Sequence, residues 1–535
     1  GDWNYPSTLT LTENPDHSDP ARAWQVAWSP ALVHPKLTAD TALARVRELP
    51  PRAPIVDRKG EPLVAEQEVF RVGVAAGKIS AADLAKLAKL VDVDSAGLAK
   101  RAQSAPAGQF VEAVVLRKAE YQAVKPQLDN ISGVVDRSDT LALAPTRQYA
   151  RGVLGAVGPA TKESLEKAGP LASAVDAIGS SGLQAIYQQQ LAGQPGGRVN
   201  LVDADDGSVR ETLQEFAPVP GRPVQVSLDK QVQDAAEHAL DAITGNASLV
   251  AVDTETGDIL AVANAPADRA GDERALDGRY APGSTFKIIT TTALLRAGLS
   301  PTDTVACPPS INVNGKRFEN YDGLGSLGDV PFSKDFTESC NTAFISKAKD
   351  LPPDALQDAA RSFGIGGTWD LGLNSFSGNV PRSSGSVDQS AASIGQGRVL
   401  MSPLAMACVA ATVASGTPRI PQLVLSGPPS SETSSPSPQV PADLPALPEA
   451  GTLRDLMLET VRSGTAHVLE IPGEQIGAKT GTAEYGSGAA AGLHAWMVGF
   501  LDHIAFAVLV ENGVTGAQTA GPIARQFLLD VRDAG

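Results

Sequence analysis

Ser284 and Lys287 lie one helical turn apart and are the first residues in this sequence whose spacing indicates catalysis. They follow Ala281-Pro282-Gly283 and open an apolar stretch, residues 288–295, that predicts a buried helix. A neutral amine at Lys287 would take the proton of the Ser284 hydroxyl and make that hydroxyl a nucleophile. An ordinary lysine has a pKa of about 10.4, so this chemistry requires burial and a nearby cation to lower the pKa of Lys287.

A second pair with the same spacing, Ser346 and Lys349, lies in a charged stretch. We interpret that stretch as the solvated face of a helix, whereas Pro282 and Gly283 punctuate the first pair and an apolar helix follows it. Only the first pair is therefore a candidate nucleophile and base.

The pattern Ser339-Cys340-Asn341 adds a hydroxyl and an amide two residues apart. Both groups can line the same side of a loop, where they could bridge a proton path or hold the amide of a substrate. The pattern is a weak signal by itself, because Ser-x-Asn recurs elsewhere in the chain, for example at Ser310 and Ser377.

The pattern Lys479-Thr480-Gly481-Thr482 occurs once. In a strand, Thr480 and Thr482 share a face, and their two hydroxyls can bind a carboxylate. Gly481 would let a substrate backbone lie against the strand edge. Lys479 supplies the second cation that a neutral Lys287 requires.

The hydrophobic pattern predicts the elements that must position these three motifs. Strands at both ends of residues 221–535, with helices between them, indicate a segregated α+β domain. The predicted strands are 224–228, 248–253, 258–263, 494–500 and 504–510, and the predicted helices are 231–242 and 522–531.

Weaker patterns describe the rest of the chain. Residues 23–33 predict a strand that leaves a small α+β unit, and residues 80–104 carry leucines at near-helical spacing. Residues 182–191 predict one amphipathic helix that ends before Gly193. Residues 426–449 are rich in Pro and Ser and predict a flexible loop.

Composition excludes several classes of protein. The 535 residues carry a net charge of −16, without a long basic run, which argues against a nucleic-acid partner. The three cysteines form no CxxC pair and rule out a disulfide scaffold, so we expect buried thiols. The six histidines show no His-x-x-x-His spacing and predict no metal site. No stretch reaches the ~18 apolar residues of a membrane span.

In this order, the three motifs resemble those of the penicillin-recognising serine enzymes. More specifically, the chain is similar to a class B penicillin-binding protein, a peptidoglycan D,D-transpeptidase. The similarity covers nearly the whole chain. The segments that carry it are 281–287, 338–344, 394–403, 478–484 and 494–500 in the catalytic part, with 52–63 and 182–196 upstream.

The resemblance implies a multidomain α+β fold. Residues 221–535 would form the β-lactamase-like transpeptidase domain, with an antiparallel sheet flanked by helices and an all-helical part. Residues 48–220 would form an elongated, non-catalytic pedestal of the dimerisation type. Residues 1–47 would be a partial α+β extension, similar to the end of the small nuclear-transport-factor-like domain of the methicillin-resistance-type subgroup.

The resemblance also implies a role for each motif residue. Ser284 would be the acylated nucleophile, and Lys287 its general base. Ser339 would relay the proton to the leaving amine, while Asn341 would hold Lys287 and the amide of the substrate. Lys479 would keep Lys287 neutral and assist Ser339. The terminal carboxylate of the substrate would bind to Thr480 and Thr482 beside Gly481, and the backbone N–H groups of Ser284 and Thr482 would form the oxyanion hole.

Substrate, partners and location follow from the same resemblance. Peptidoglycan stem peptides would be the substrates, β-lactams the covalent inhibitors, and membrane-embedded cell-wall synthesis proteins the partners. No cofactor or metal is expected for a Ser-Lys acyltransferase. The enzyme would work at the extracytoplasmic face of the bacterial cell membrane. Because the sequence begins Gly1-Asp2 without Met, we expect the natural N-terminal anchor to be missing from it.

Two alternative functions stay open. A D,D-carboxypeptidase or β-lactamase would pass the acyl group to water, although about 220 residues precede the catalytic part, which a free hydrolase does not need. The second alternative is a penicillin sensor or a non-catalytic scaffold of the divisome or elongasome. The presence of every motif residue argues against a silent scaffold, and no cytosolic signalling domain is evident to support a sensor.

Overall fold

A computed structural model describes residues 2–14, 23–269, 271–426, 444–486 and 491–534 of the chain. Most of the segment 426–449, for which a flexible loop is predicted, lies outside these described residues.

Strands and helices are interspersed along the chain. The strands are β1 (Leu11–Glu13), β2 (Trp24–Val26), β3 (Thr41–Glu48), β4 (Ile55–Val56), β5 (Pro62–Ala75), β6 (Phe110–Arg117), β7 (Val134–Leu143), β8 (Val157–Pro159), β9 (Ala177–Gly179), β10 (Gly196–Asp203), β11 (Val209–Phe216), β12 (Val224–Val226), β13 (Ala247–Asp253), β14 (Ile259–Ala265), β15 (Thr304–Cys307), β16 (Ser310–Val313), β17 (Lys316–Glu319), β18 (Gly328–Pro331), β19 (Val424–Ser426), β20 (Gly477–Tyr485), β21 (Gly492–Leu501) and β22 (Ile504–Val510). The helices are α1 (Ala81–Leu90), α2 (Ser95–Ser104), α3 (Lys118–Leu128), α4 (Arg151–Leu154), α5 (Lys162–Ala168), α6 (Gly182–Ile186), α7 (Gln188–Ala192), α8 (Lys230–Leu240), α9 (Arg274–Asp277), α10 (Lys287–Arg296), α11 (Phe332–Thr337), α12 (Asn341–Ala348), α13 (Ala355–Arg361), α14 (Ser386–Ser393), α15 (Pro403–Ser415), α16 (Ala450–Ser463) and α17 (Gly521–Ala534).

The chain packs as two compact units that interleave along the sequence. The predicted ranges 1–47, 48–220 and 221–535 are consecutive and therefore do not coincide with these units. Unit 1 consists of Gly1–Pro54, Pro159–Ile178 and Tyr187–Pro223, and unit 2 consists of Ile55–Gly158, Gly179–Ile186 and Val224–Gly535.

Unit 1 contains an antiparallel sheet of three strands in the order β11-β10-β3. Strand β3 pairs with β10 along its whole length, from Glu48 opposite Gly196 to Thr41 opposite Asp203. These partners are about 150 residues apart in sequence, so no local pattern could reveal the pairing. Strand β3 is thus held by a segment that is distant in sequence.

Residues 1–47 are predicted to form a partial α+β extension. Among residues 2–14 and 23–47 the structure contains strands and one 3-10 turn, Pro30–Leu32, but no α-helix. Proline begins that turn, a position where its missing N–H has no intrahelical partner to lose. The predicted strand in residues 23–33 is present as β2, which pairs with β1.

One sheet of unit 2 joins distant parts of the chain. Its strand order is β19-β12-β4-β5-β6, with β7 paired to β5, and α1, α2 and α3 share one apolar core with β5 and β6. The helical pattern at residues 80–104 is interrupted between α1 and α2. Asp92 has a positive φ of 52°, and the side chain of Asp94 caps α2 by accepting hydrogen bonds from the N–H groups of Ala96 and Gly97.

The predicted helix at residues 182–191 is likewise two short helices, α6 and α7. Tyr187 between them leaves the helical conformation, with φ −98° and ψ 24°. An apolar stripe continues across the break, so periodicity alone could not detect it.

A second sheet of unit 2 supports the motifs. It is antiparallel, with the strand order β14-β13-β22-β21-β20, and its strands confirm the predicted hairpin of residues 248–263 and the pair of strands at 494–510. Every residue of β13, β14 and β22 is buried, so both faces of the sheet are covered. Helices α8 and α17 share one apolar core with this sheet, and the apolar α15 packs against β13 and β22.

Cys307 and Cys340 form a disulfide, with their Cα atoms 6.3 Å apart. The prediction of three buried thiols is therefore wrong for these two and confirmed only for Cys408, in α15. The two half-cystines are 33 residues apart and meet because α12 packs against β15. Sequence spacing without a CxxC pair could not show this contact.

Of the helices in the described part of the chain, none has both the length and the apolar character that crossing a membrane requires.

Candidate active site

Ser284 lies in a 3-10 turn, Gly283–Phe286, that leads directly into α10. In a 3-10 turn, residues i and i+3 eclipse each other, which places Ser284 and Lys287 on one side as the spacing predicts. Gly283 begins the turn with a φ of +53°, and its N–H donates to the carbonyl of Gly395 at 3.0 Å. Ser284 is half-buried, whereas the side chain of Lys287 has no solvent exposure.

The Lys287 amine binds the second motif. Its Nζ donates to the Ser339 carbonyl oxygen at 2.7 Å and to Asn341 Oδ1 at 2.8 Å, and it lies 3.3 Å from Ser339 Oγ. The ring of Phe344 lies 5.1 Å from the same nitrogen. No hydrogen bond between Lys287 Nζ and Ser284 Oγ is present among the described residues.

Lys479 reaches the same hydroxyl from β20. Its Nζ donates to Ser339 Oγ at 2.8 Å and to the Thr480 carbonyl at 3.3 Å, and the ring of Phe336 lies 5.7 Å away. Ser339 Oγ is therefore held between two lysine amines, which is the convergence that the three motifs predict.

The two buried amines differ in how strongly they hold a proton. Burial, and secondly the positive charge of Lys479, hold the pKa of Lys287 well below its ordinary value. Burial lowers the pKa of Lys479 to about 7, opposed by the nearby carboxylate of Glu338. A single proton on this pair therefore resides on Lys479, which leaves Lys287 neutral and able to act as a base.

Asp335 is a buried acid that sequence reasoning missed. It lies in α11, has no solvent exposure, and neither carboxyl oxygen has a hydrogen-bond partner in the described structure. Burial raises the pKa of Asp335 to about 7, opposed by the charge of Lys287. Its charge state therefore influences Lys287. No spacing in the sequence connects this aspartate to the three motifs.

The backbone at Ser339 is unusual. Ser339 has a φ of +59°, in the left-handed region that residues other than glycine seldom adopt. The next residue, Cys340, is the N-cap of α12 and carries the disulfide to Cys307. The second motif is thus a constrained turn that is covalently fixed one residue from its hydroxyl.

The third motif lies on β20, at the edge of its sheet. A Cβ atom at Gly481 would lie 2.8 Å from both the Pro282 carbonyl oxygen and Thr285 Cγ2. Only glycine lets the strand approach the nucleophile turn this closely, which is a different reason from the substrate contact predicted for it. Likewise, a Cβ atom at Gly283 would lie 2.4 Å from the Thr482 carbonyl oxygen.

The two threonine hydroxyls of this motif already have partners. Thr480 Oγ1 lies 2.7 Å from Thr465 Oγ1, and Thr482 Oγ1 accepts a hydrogen bond from Gly516 N–H at 3.4 Å. Thr465 follows α16 and carries no motif signal, so sequence reasoning missed it. A third hydroxyl therefore adjoins the two that the motif predicts.

The structure brings all predicted site residues into one region of unit 2. Direct side-chain hydrogen bonds join Lys287, Ser339, Asn341 and Lys479. The remaining four, Ser284, Thr480, Gly481 and Thr482, lie on the nucleophile turn and on the strand that abuts it. The site thus contains the hydroxyl of Ser284, a neutral amine at Lys287, a second hydroxyl at Ser339 and an ammonium at Lys479. This set of groups is suited to acyl transfer.

One group of residues near the site has the composition of a metal centre. Ligand atoms of Cys307, Asp335 and Cys340 lie within 4.8 Å of one another. The thiolate is the form of cysteine that binds metals, and both of these sulfurs are consumed in the disulfide. This group therefore does not fit a metal ion in its oxidised form.

Two family models match the chain. The penicillin binding protein transpeptidase domain matches residues 247–529, and the penicillin-binding protein dimerisation domain matches residues 47–226.

Similar proteins carry consistent names. The chain is 34% identical over 372 residues to the peptidoglycan D,D-transpeptidase PbpA of Mycobacterium tuberculosis, covering 58% of this chain and 72% of that relative. It is 27% identical over 575 residues to the peptidoglycan D,D-transpeptidase MrdA of Acinetobacter baumannii, covering 92% of this chain and 82% of that one.

A solved structure shares the fold. It is the complex between a penicillin-binding protein, PBP2, and MreC from Helicobacter pylori, with a TM-score of 0.68 and 22% identity, covering 92% of this chain and 100% of that one. With a transpeptidase-domain match that spans more than half of its residues and a dimerisation-domain match before it, this chain belongs to the class B penicillin-binding protein family.

Proposed function

We propose that this protein is a peptidoglycan D,D-transpeptidase that cross-links stem peptides through an acyl-enzyme on Ser284. The observation that carries the proposal is the convergence of Lys287 and Lys479 on Ser339 Oγ, next to the turn that bears Ser284. A buried neutral amine beside a buried ammonium activates a serine without a histidine or a metal.

In the first step, Ser284 Oγ attacks the carbonyl carbon of the penultimate D-alanine of a donor stem. The Ser284 proton passes to neutral Lys287, and the new C–O bond forms as the C–N bond to the terminal D-alanine breaks. The leaving amine takes a proton through Ser339, which both lysines contact. In the second step, the amine of another stem attacks the ester carbonyl carbon and loses a proton. A new C–N bond forms as the C–O bond to Ser284 breaks, and Ser284 Oγ regains a proton.

Substrate binding at β20 supports the same reaction. This strand is the last of its sheet and pairs only with β21 in the described structure, so an extended stem peptide can pair with its outer edge. We assign the terminal carboxylate to the hydroxyls of Thr480 and Thr482. The ammonium of Lys479 nearby favours that negative charge, and also the carboxylate of a β-lactam. We further assign the oxyanion hole to the backbone N–H groups of Ser284 and Thr482.

We place the enzyme at the extracytoplasmic face of the bacterial cell membrane. The disulfide between Cys307 and Cys340 supports this location, because disulfides persist in oxidising compartments. A membrane-associated cell-wall synthesis partner is also proposed, since the similar Helicobacter pylori protein was solved in complex with MreC.

The domain roles are likewise proposals. We assign transpeptidation to residues 221–535 and a dimerisation-type pedestal to residues 48–220, a division that the matched ranges 247–529 and 47–226 support. We retain residues 1–47 as the end of a nuclear-transport-factor-like domain of the methicillin-resistance-type subgroup. Its support is the sequence resemblance alone.

The test is intact-protein mass spectrometry after incubation with benzylpenicillin. We expect a stable adduct of one penicillin in the unmodified protein and none in Ser284→Ala. The matched control is Ser346→Ala, which removes the serine of the second Ser-x-x-Lys pair and should label as the unmodified protein does. Labelling of Ser284→Ala at the unmodified rate would refute the assignment of the nucleophile.

The molecule that accepts the acyl group from the enzyme distinguishes a transpeptidase from a hydrolase. With a thioester analogue of the stem, we expect the acyl group to be transferred to an added D-amino acid in preference to water. Release of only the hydrolysed acid, or rapid turnover of penicillin, would instead indicate a carboxypeptidase or β-lactamase. A stable penicillin adduct without transfer to any amine would indicate a sensor.

A further inference from the structure

Asn320 follows β17 and lies outside all three motifs, yet its side-chain amide binds the backbone that follows Ser339. Its Oδ1 accepts hydrogen bonds from the backbone N–H groups of Asn341 at 3.0 Å and Thr342 at 3.1 Å. Its Nδ2 donates to the carbonyls of Pro308 at 3.0 Å and Gly325 at 2.8 Å. One side chain thus joins the segments that flank the disulfide to the second motif.

The two accepted N–H groups belong to the first turn of α12, where a helix has no acceptors of its own. An N-cap side chain normally accepts from the second or third N–H of the helix, but the N-cap of α12 is Cys340, and its sulfur lies 3.3 Å from the third, Ala343 N–H. Sulfur is a weak acceptor, and this one is already bonded in the disulfide. Asn320 therefore supplies, from another element, the capping oxygen that α12 lacks.

A second contact fixes the neighbouring residue. The side chain of Asn341 donates through Nδ2 to the Glu319 carbonyl at 3.0 Å and accepts through Oδ1 from Lys287 Nζ at 2.8 Å. The backbone before Asn320 thus orients the amide of Asn341, and the side chain of Asn320 orients its backbone. These two contacts together set the positions of Asn341 Oδ1 and of the Ser339 carbonyl oxygen relative to Lys287 Nζ.

The turn needs such support, because Ser339 has a positive φ. A residue other than glycine in this conformation persists only when its surroundings hold it there. The disulfide fixes Cys340, the residue after Ser339, and Asn320 fixes the backbone N–H groups of the next two residues.

We propose that Asn320 is a positioning residue for the reaction, which places Ser339 and Asn341 against Lys287 by capping α12 from outside. The inference rests on the proposed roles of these residues. The hydrogen bonds of the Asn320 side chain reach Pro308, Gly325 and the backbone of residues 341–342, and none reaches Ser284 in the described structure, so its effect passes through the Ser339 turn.

The test uses two substitutions of Asn320 in the full chain. Asn320→Ala removes the amide, and Asn320→Gln keeps it but moves it by one methylene. The matched controls are Asn312→Ala and Asn312→Gln, since Asn312 is an exposed asparagine of the neighbouring hairpin whose Oδ1 accepts from Gly315 N–H at 2.9 Å. Benzylpenicillin is the probe, and stopped-flow acylation gives the dissociation constant of the initial complex and the first-order acylation constant separately.

We expect both Asn320 variants to lose about tenfold or more in the acylation constant, because misplacement by about 1 Å can cost that much. The dissociation constant should change by less than about threefold, since initial binding at β20 does not need the turn. Asn320→Gln should keep a melting temperature near that of the unmodified protein, so its loss reports position rather than folding. The Asn312 variants should acylate normally.

Normal acylation by Asn320→Gln would overturn the proposal, as would an equal loss in Asn312→Gln. A weakened initial complex with an unchanged acylation constant would also overturn it. The Ser284→Ala variant distinguishes a failure of the Asn320 proposal from a failure of the proposed function. If penicillin fails to acylate Ser284→Ala but acylates Asn320→Gln at the normal rate, only the proposed role of Asn320 is refuted. If penicillin still labels Ser284→Ala, the proposed function itself is refuted.

Discussion

At the scale of single residues, the charge distribution between two lysines decides whether a serine reacts. Lys287 and Lys479 are both without solvent exposure, and their shared contact is the hydroxyl of Ser339. Desolvation disfavours a charge on either amine, and repulsion disfavours a second charge once one is present. In the proposed mechanism, the lysine with the lower pKa, Lys287, is the base, and Lys479 supplies the positive charge.

We expect the acylation rate of this protein to fall at both low and high pH. The active form of Lys287 is deprotonated, so acid slows acylation as Lys287 gains a proton, at a pH well below its ordinary pKa. The active form of Lys479 is protonated, so the rate also falls as pH rises through about 7, where its pKa lies. Stopped-flow acylation by penicillin across this range measures both limbs. A rate that keeps rising through the alkaline side would show that the charge of Lys479 is not required.

At the scale of elements, the second motif is held by a covalent link. The disulfide joins the end of β15 to the N-cap of α12, next to Ser339. It closes a loop across a sequence separation of 33 residues. A cross-link of this length restricts the unfolded chain and, in the chain-entropy account, stabilises the fold by roughly 3–4 kcal/mol.

We predict that the double substitution Cys307→Ser with Cys340→Ser lowers the free energy of unfolding by about that amount, roughly 3–4 kcal/mol. Denaturant unfolding measures it, and dithiothreitol should destabilise the unmodified protein similarly while leaving the double variant unchanged. Thiol titration of the denatured, unreduced protein should find only Cys408. Three reactive thiols would contradict the disulfide.

At the scale of the whole molecule, catalysis and packing divide the chain differently. All the proposed site residues belong to unit 2, which also contains residues 55–158 of the predicted pedestal. Unit 1 assembles around its own three-stranded sheet from three separate stretches of chain. Packing units that each have their own core can unfold separately.

We predict that scanning calorimetry resolves more than one unfolding transition in this protein. Acylation by penicillin should raise only the transition of unit 2, because the bound group contacts the fold there and a ligand of the native state stabilises it. Ser284→Ala should show no such shift. A single transition whose calorimetric and van't Hoff enthalpies agree would mean that the two units unfold together.

Local patterns in the sequence are enough to propose the chemistry and to predict much of the fold. Spacing predicts Ser284 and Lys287 on one turn, and the hydrophobic pattern predicts the strands at 494–500 and 504–510 beside β20, because these relations are set within a few residues. The capping oxygen of Asn320, the disulfide, the unpaired Asp335 and the pairing of β3 with β10 were decided only by the tertiary structure. Each depends on contacts between segments far apart in sequence, and such contacts leave no periodic signal in the segments themselves.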